Sequence, residues 1–484
     1  MKTAPRNILF ILSDDQGAWA LGAAGNAEIR TPNLDALAAA GTRFENFFCV
    51  SPVCSPARAS ILTGRIPSSH GVHDWIRAGN LDDPRGAYGA TDRAVEYLAG
   101  IPGTTDFLAE AGWRCGLSGK WHLGASAIPQ KGFTWWNAYA FGGGEYFNYK
   151  MVREGRVQDR THYVTHEITE GALSFLDSCR GRKDPFYLSV HYTAPHSPWD
   201  AKNHPPEFLG LYKDCPFAST PNEAAHPWQS ATAPVGDTPE KRRENLTGYY
   251  AAVTAMDRDI GRILSRLGEI GAAEDTLVVF SGDNGMNMGH HGIWGKGNGT
   301  IPMNMYDESV KVPFIVRGPG VPAGRVERGL YSHYDLLPTL LDWAGLAERP
   351  PPGLPGRSFA PLLRGEGVPD GGDIVVFDEY GPVRMIRDRR WKYVHRWNDF
   401  PPELYDLEGD PGERVNLLSG NPDAGALAKA DEMKGRLFSW FDRHANAERD
   451  GRQLPVAGSG QIASVREHRG DQSAFHPPPK RVAE

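Results

Sequence analysis

Asn7-Ile8-Leu9-Phe10-Ile11-Leu12 is an unbroken β-prone run bounded by polar residues, and Asp14-Asp15 follows just past its end. Apolar residues without alternation mark a strand covered on both faces, the pattern of a parallel sheet between helical layers. Next along the chain, Thr31-Pro32 with Leu34, Leu37, Ala38 and Gly41 reads as a short helix with an N-cap, a Pro in its first turn and a terminal Gly. The alternation continues with a helix over 105–111 stopped by Gly112, a strand over 186–191, a long helix over 243–267, and strands over 276–280 and 313–316. In the long helix Leu246, Tyr249, Val253, Met256, Ile260, Ile263 and Leu267 recur every three or four residues, so one face is apolar. Strands alternating with helices predict an α/β domain, a large mostly parallel sheet flanked by helices.

Beyond residue 369 the texture changes to short runs over 374–379, 383–387, 391–395 and 403–407 separated by turn signals, then Asp410-Pro411-Gly412 and a helix near 426–444. This predicts a small C-terminal antiparallel sheet with a helix. The chain therefore divides into a catalytic domain over 1–369, a small α+β subdomain over 370–450 and an extended tail over 451–484. The tail carries Ile462, Val465, Phe475 and Pro477-Pro478-Pro479, too few apolar groups for a core but enough to dock as an arm. A neighbouring subunit of a homo-oligomer is one surface that could receive it.

The 484 residues carry 52 Lys and Arg against 59 Asp and Glu, a net charge of -7, and no basic block is longer than the short stretch 387–392. That balance argues against a nucleic-acid partner. The longest early apolar run, Ile8 to Leu12, is too short for a signal-peptide core or a bilayer span, so no membrane association and a cytoplasmic location are expected. Five cysteines (49, 54, 115, 179, 215), an odd number with no C-x-x-C pair, fit reduced thiols and disfavour a zinc ribbon or a disulfide framework.

Polar residues collect after three of the expected strands: Asp14 and Asp15, then His196, then Asp283 with Asn284. Taken singly, an Asp-Asp or Asp-Asn after a strand is turn chemistry. In an open α/β sheet, however, ligands bind at the carboxyl ends of strands, so groups far apart in sequence can converge. Cys54-Ser-Pro-Ala-Arg58 opens a second helix, with Pro56 in its first turn. A buried thiol beside a helix start is the bland reading. The alternative is an anion site, since unpaired N–H groups and Arg58 one turn later both favour negative charge. Lys120, His122, His196 and Lys296 would complete a ring of cations around one tetrahedral anion.

The ordered set Asp14-Asp-Gln-Gly17, Thr31-Pro-Asn-Leu-Asp35, Cys54-Ser-Pro-Ala-Arg58 with Leu62-Thr-Gly-Arg65, Gly119-Lys-Trp-His-Leu-Gly124, Pro195-His196, Gly282-Asp-Asn-Gly285 and Gly289-His-His-Gly-Ile-Trp-Gly-Lys296 resembles the type I sulfatases of the alkaline-phosphatase-like superfamily. Asp335-Leu-Leu-Pro-Thr339 and Leu404-Tyr-Asp-Leu407 extend the resemblance. It implies an alkaline-phosphatase-like fold and hydrolysis of an organic sulfate monoester, such as a carbohydrate or other small sulfate. It also implies that a maturation enzyme oxidises Cys54 to formylglycine. The hydrated aldehyde would accept the sulfo group on one hydroxyl and release inorganic sulfate through deprotonation of the other, which a plain Ser could not do.

Carried over by position, Arg58 and Lys120 would hold hydrate and sulfate oxygens, His122 would be the base for sulfate release, and His196 with Lys296 would position the ester and protonate the leaving oxygen. The metal set would be Asp14, Asp15, Asp283 and Asn284 with the Cys54-derived group. All-oxygen donors with three negative charges suit Ca²⁺. Related phosphonate and phosphate ester hydrolases commonly place an imidazole at the position of Asn284, so that alternative activity is disfavoured by this residue. For specificity, His73, Trp75 and Arg77, together with the aromatic segments 133–139 and 142–147, are expected at the pocket rim.

Overall fold

The computed structural model describes residues 7–82, 93–367, 372–378, 382–397, 399–451, 456, 458–465 and 474–475. Its strands are β1 (Asn7–Ser13), β2 (Thr42–Phe48), β3 (Arg114–Lys120), β4 (Phe133–Tyr139), β5 (Tyr149–Arg153), β6 (Arg156–Arg160), β7 (Phe186–His191), β8 (Thr276–Gly282), β9 (Asn287–Met288), β10 (Trp294–Gly295), β11 (Phe314–Arg317), β12 (Arg325–Ser332), β13 (Ile374–Asp378), β14 (Val383–Arg387), β15 (Trp391–Arg396) and β16 (Glu403–Asp406). Ten strands form one sheet in the order β12-β2-β11-β8-β1-β7-β3-β4-β5-β6. β1 is parallel to both β7 and β8, and parallel pairing runs on through β3 to β4. β11 is antiparallel to its neighbours, and β5 and β6 make an antiparallel edge.

The unbroken run of β1 is explained by a layer on each face. Ile8, Phe10 and Leu12 enter one core with Phe44 and Phe47, whereas Leu9 and Ile11 enter the other with Leu246, Val253 and Ile260 of the long helix Pro239–Glu269. Successive strand residues point to opposite sides, so both sets are fully buried.

The two strands that follow β7 in the sheet order, β3 and β4, escape sequence reading. In β3, Arg-Cys-Gly-Leu-Ser-Gly-Lys, the glycines weaken the pattern but are required by close packing: a Cβ at Gly116 would lie 2.5 Å from Phe175 Cε2, and at Gly119 1.9 Å from the His191 carbonyl oxygen. β4 takes the aromatic segment 133–139 expected at the rim. Phe133 and Trp136 are core residues instead, and within 133–147 the cavity is lined by Phe141, Gly142 and Gly143. Thr31 also departs from expectation, since its hydroxyl accepts from the Gly22 amide and donates to Asp35 rather than capping the helix Pro32–Ala39.

β13 to β16 form an antiparallel meander covered by the helix Ala424–His444, with Val375, Phe377, Ile386, Leu404, Met433, Leu437 and Phe441 between them. A buried ion cluster fastens this unit to the large one: Asp307 lies 2.9 Å from both Arg387 and Lys392, and Lys392 is 2.5 Å from Glu413. The expected boundary at 369/370 and the triplet Pro477-Pro478-Pro479 lie outside the described residues.

The described part of the tail docks on its own chain. Gln461 pairs with Ile76, and Val465 and Phe475 are buried. Among the described residues no helix is long and apolar enough to cross a membrane.

Candidate active site

The carboxyl ends of β1, β7, β8 and β3 deliver Asp14 and Asp15, His196, Asp283 with Asn284, and Lys120 to one place. The helix Cys54–Thr63, buried along its whole length, points its first residue at the same spot. Cys54 Sγ lies 2.8 Å from Lys296 Nζ and 3.3 Å from Asp14 Oδ1, to which the thiol donates. Burial, reinforced by Asp14, raises the pKa of this thiol well above the ordinary range.

Asp15 adopts a left-handed backbone with φ of 63°, a conformation disfavoured for a side chain and kept by its surroundings. Its amide donates to Asp283 Oδ1 at 3.1 Å, while Tyr249, a core residue by sequence, donates its hydroxyl to the Asp15 carbonyl and accepts from the Gly17 amide. Asp15 Oδ1 receives Lys296 at 2.6 Å and Asn284 Nδ2 at 2.9 Å. Burial would raise the Asp15 carboxyl, but the Lys296 ammonium and His196 outweigh it and hold it below the usual range.

Arg58 and Lys120 reach the site from behind. Arg58 pairs with Asp283 Oδ2 at 2.9 Å and donates to the Lys120 carbonyl, and Lys120 Nζ is 2.6 Å from Asp14 Oδ2. Neither is among the residues that line the open cavity, and their donors are turned to these carboxylates. Burial works against the Arg58 charge, yet Asp283 and Asp14 raise its pKa above the ordinary value.

Oxygens of Asp14, Asp15 and Asp283 lie within 4.8 Å of one another. Asn284 is fully buried, and its Oδ1 has no hydrogen-bond partner. An orphaned acceptor beside three carboxylates fits a hard divalent cation, which would supply the missing positive partner. The donor set therefore suits the metal that the sequence motif implies.

Asp15 and Cys54 open from this cluster into a cavity of about 1480 Å³, lined also by His122, His196, Lys296, Trp75 and Arg77. His122 stands where its Nε2–H donates to the Ile76 carbonyl at 3.0 Å, leaving Nδ1 as an acceptor with no partner in the protein. Burial, aided by Lys120 and Arg58, lowers its pKa well below the usual value, so the ring is neutral. A Cβ at Gly142 would come 2.1 Å from His122 Nε2, which explains the glycine there. His196 donates Nδ1–H to the Ser197 carbonyl and turns Nε2 to within 3.6 Å of Asp15.

His73 is not brought to the cavity. Its ring bonds the Arg449 carbonyl at 2.6 Å and its amide bonds Gln461, so it is a buried structural residue. Sequence reading also missed Ile76, which acts through its carbonyl and carries no side-chain signal.

The sulfatase family model matches residues 6–346, and a second, N-sulphoglucosamine sulphohydrolase C-terminal, matches 289–439. The chain is 30% identical to a choline-sulfatase of Rhizobium meliloti over 90% of this chain and 87% of that protein. It is likewise 30% identical to an ulvan-active sulfatase of Formosa agariphila over 88% and 80%. A solved structure of a protein with its substrate D-glucosamine-2-N,6-O-disulfate superposes with a TM-score of 0.73 at 25% identity, covering 92% of this chain and 99% of the other. A phosphonate monoester hydrolase from Silicibacter pomeroyi shares the fold, with a TM-score of 0.70 at 23% identity, 95% of this chain and 99% of the other. With its catalytic sheet matched from end to end and its charged groups gathered beside one cavity, the chain belongs to the sulfatase family, the type I sulfatases of the alkaline-phosphatase-like superfamily, and is a hydrolase of sulfuric ester bonds.

Proposed function

We propose that the chain cleaves a small organic sulfate monoester, of a carbohydrate or another compact alcohol, with formylglycine at position 54 and Ca²⁺ held by Asp14, Asp15, Asp283 and Asn284. The observation that carries this reading is the placement of Cys54 Sγ between Lys296 and Asp14 at the foot of the cavity, where Sγ stands in for a hydroxyl of the hydrated aldehyde. A maturation enzyme is the partner this chemistry requires. Five free cysteines support a reducing compartment, which we take to be the cytoplasm.

The three carboxylates Asp14, Asp15 and Asp283 face the three buried cations Arg58, Lys120 and Lys296. Ca²⁺ when bound would polarise a sulfate oxygen and leave a net charge of +2, which attracts the monoanionic ester and matches the sulfate dianion formed from it. Lys296, beside position 54, directs the sulfo group toward the nucleophile. His122, neutral and with Nδ1 unpaired, takes the proton whose loss frees sulfate. His196, when protonated, carries Nε2–H for the leaving oxygen. The fixed cations meet developing charge without reorganisation.

The test is the mass of the peptide containing Cys54 from the native host, with sulfate release from an aryl sulfate measured alongside turnover of phenyl phosphonate. Aldehyde at position 54 and preference for the sulfate are expected. An unmodified thiol in active enzyme would overturn the nucleophile, and preference for the phosphonate would overturn the ester class.

A further inference from the structure

Trp75, Ile76 and Arg77 line the cavity within a segment, 71–78, whose conformation is irregular. What holds them comes from the other end of the chain. Gln461 donates its amide to the Trp75 carbonyl at 2.8 Å and accepts the Arg77 amide at 2.9 Å, so it brackets Ile76 from both sides. Its side chain is completely buried and accepts the His73 amide at 2.9 Å while donating to the Gly71 carbonyl at 3.0 Å. Beside it, the Gly460 amide donates to Asp74, and Arg77 donates to the Ser459 carbonyl at 3.2 Å. Gly460 is shaped for this approach: its φ is +103°, and a Cβ would lie 2.6 Å from Arg77 Cβ.

Ile76 is the residue that these contacts fix, and it is also the one that reaches the chemistry. Its amide donates to Ser55 Oγ at 3.0 Å, next to the nucleophile, and its carbonyl takes the Nε2–H of His122. A carbonyl can only accept, so this bond decides which nitrogen of the neutral ring keeps its lone pair. Moving Ile76 would free His122 to turn or to change tautomer.

We propose that the tail segment 459–461 is a working wall of the active site and that Gln461 is a positioning residue, which by clamping Ile76 sets the tautomer and place of His122 and holds Arg77 in the cavity lining. The proposal rests on the reading of His122 as the proton acceptor for sulfate release. The sulfate-facing groups Lys296 and His196 make none of these contacts, so the clamp acts on the chemical step more than on binding of the sulfate. Active-site competence thereby depends on residues more than 380 positions away from the turn that they hold, as the sequence separations of these bonds record.

The experiment compares the full chain, Gln461→Ala, and a chain ending at residue 457. Gln461→Ala removes the buried side-chain bonds to His73 and Gly71 that seat the main-chain clamp, and the shortened chain removes the clamp itself. The probe is p-nitrophenyl sulfate, with rates expressed per formylglycine found by mass at position 54. For Gln461→Ala, kcat is expected to fall about tenfold to a hundredfold with KM changed less than about threefold, the size of loss that a small misplacement causes. The shortened chain should lose at least as much kcat. Hydrogen exchange at the Arg77 amide should quicken in both. Values of kcat within about twofold of the parent in a folded variant would overturn the proposal, as would losses that only follow the unfolded fraction seen by circular dichroism. If the shortened chain fails to fold, Gln461→Ala in the full chain decides. A matured parent that releases no sulfate from any ester would instead defeat the sulfatase reading, and exchange at Arg77 would still report on the clamp.

Discussion

Asn284 donates Nδ2–H to Asp15 Oδ1 at 2.9 Å and to the Gly285 carbonyl at 2.9 Å, which turns Asn284 Oδ1 into a buried acceptor with nothing to accept. An amide held this way presents oxygen, never nitrogen, to the space between the carboxylates. Dialysis against EGTA should therefore abolish sulfate release and lower the melting temperature, and Ca²⁺ should restore both. At a hundred times the dissociation constant the ion would stabilise the fold by about 2.7 kcal/mol. Unchanged activity and melting after verified metal removal would refute the site.

Asp283→Ala is expected to damage stability as well as activity. Asp283 is the partner of Arg58, whose guanidinium is 2% exposed and has only Asp14, at 3.6 Å, as a second carboxylate. A buried charge deprived of its partner costs about 3–5 kcal/mol, which urea unfolding will read. A variant as stable as the parent would show that Arg58 is satisfied by other means.

Cys54→Ser keeps the helix start and the contacts to Asp14 and Lys296 but offers only one hydroxyl. Multiple-turnover kcat should drop by about 10⁴-fold, while thermal unfolding stays close to that of the parent. Intact mass after incubation with an aryl sulfate should show at most one added sulfo group. Turnover near the parent rate would eliminate the diol chemistry.

Gly142→Ala tests the seat of His122. The added methyl would meet Nε2 at 2.1 Å and Cε1 at 2.4 Å, so the ring must shift and its bond to Ile76 must break. Overpacking of this kind costs about 1–3 kcal/mol, and kcat should fall by at least about tenfold. Steady-state kinetics of the purified variant provide the check.

Lys392→Met probes the seam between the two units. Burial raises Glu413 to about 7 even with Lys392 beside it, while Lys311, Lys392 and Arg387 outweigh burial at Asp307 and hold it well below its ordinary range. Because Glu413 binds its proton more tightly folded than unfolded, its contribution weakens stability as pH rises from about 4.5 toward 7. Loss of the cation should cost about 3–5 kcal/mol at pH 8 and less at pH 5, where Glu413 is protonated in the folded state. Denaturant titrations at the two pH values will show whether the loss shrinks in acid.

Much of this architecture is legible in local pattern. The run 7–12 announces a strand covered on both faces, the apolar stripe from Leu246 to Leu267 announces the long helix, and the runs after 374 announce the small sheet, because periods of two and 3.6 report directly which faces are buried. The helix Val164–Cys179 carries the same signal at Val164, Ile168, Ala172, Phe175 and Cys179. The residue types at positions 14, 15, 54, 58, 120, 122, 196, 283, 284 and 296 likewise state a chemistry of anions and a hard cation. Pairing does not follow from periodicity. Arg58 turns to Asp283 across 225 residues, Trp136 goes inward rather than to the rim, His73 is spent on Arg449, and Gln461 closes over Ile76. Each of these depends on strand order and on how close two backbones come, quantities set by packing across the whole sheet, and no local repeat in the chain encodes them.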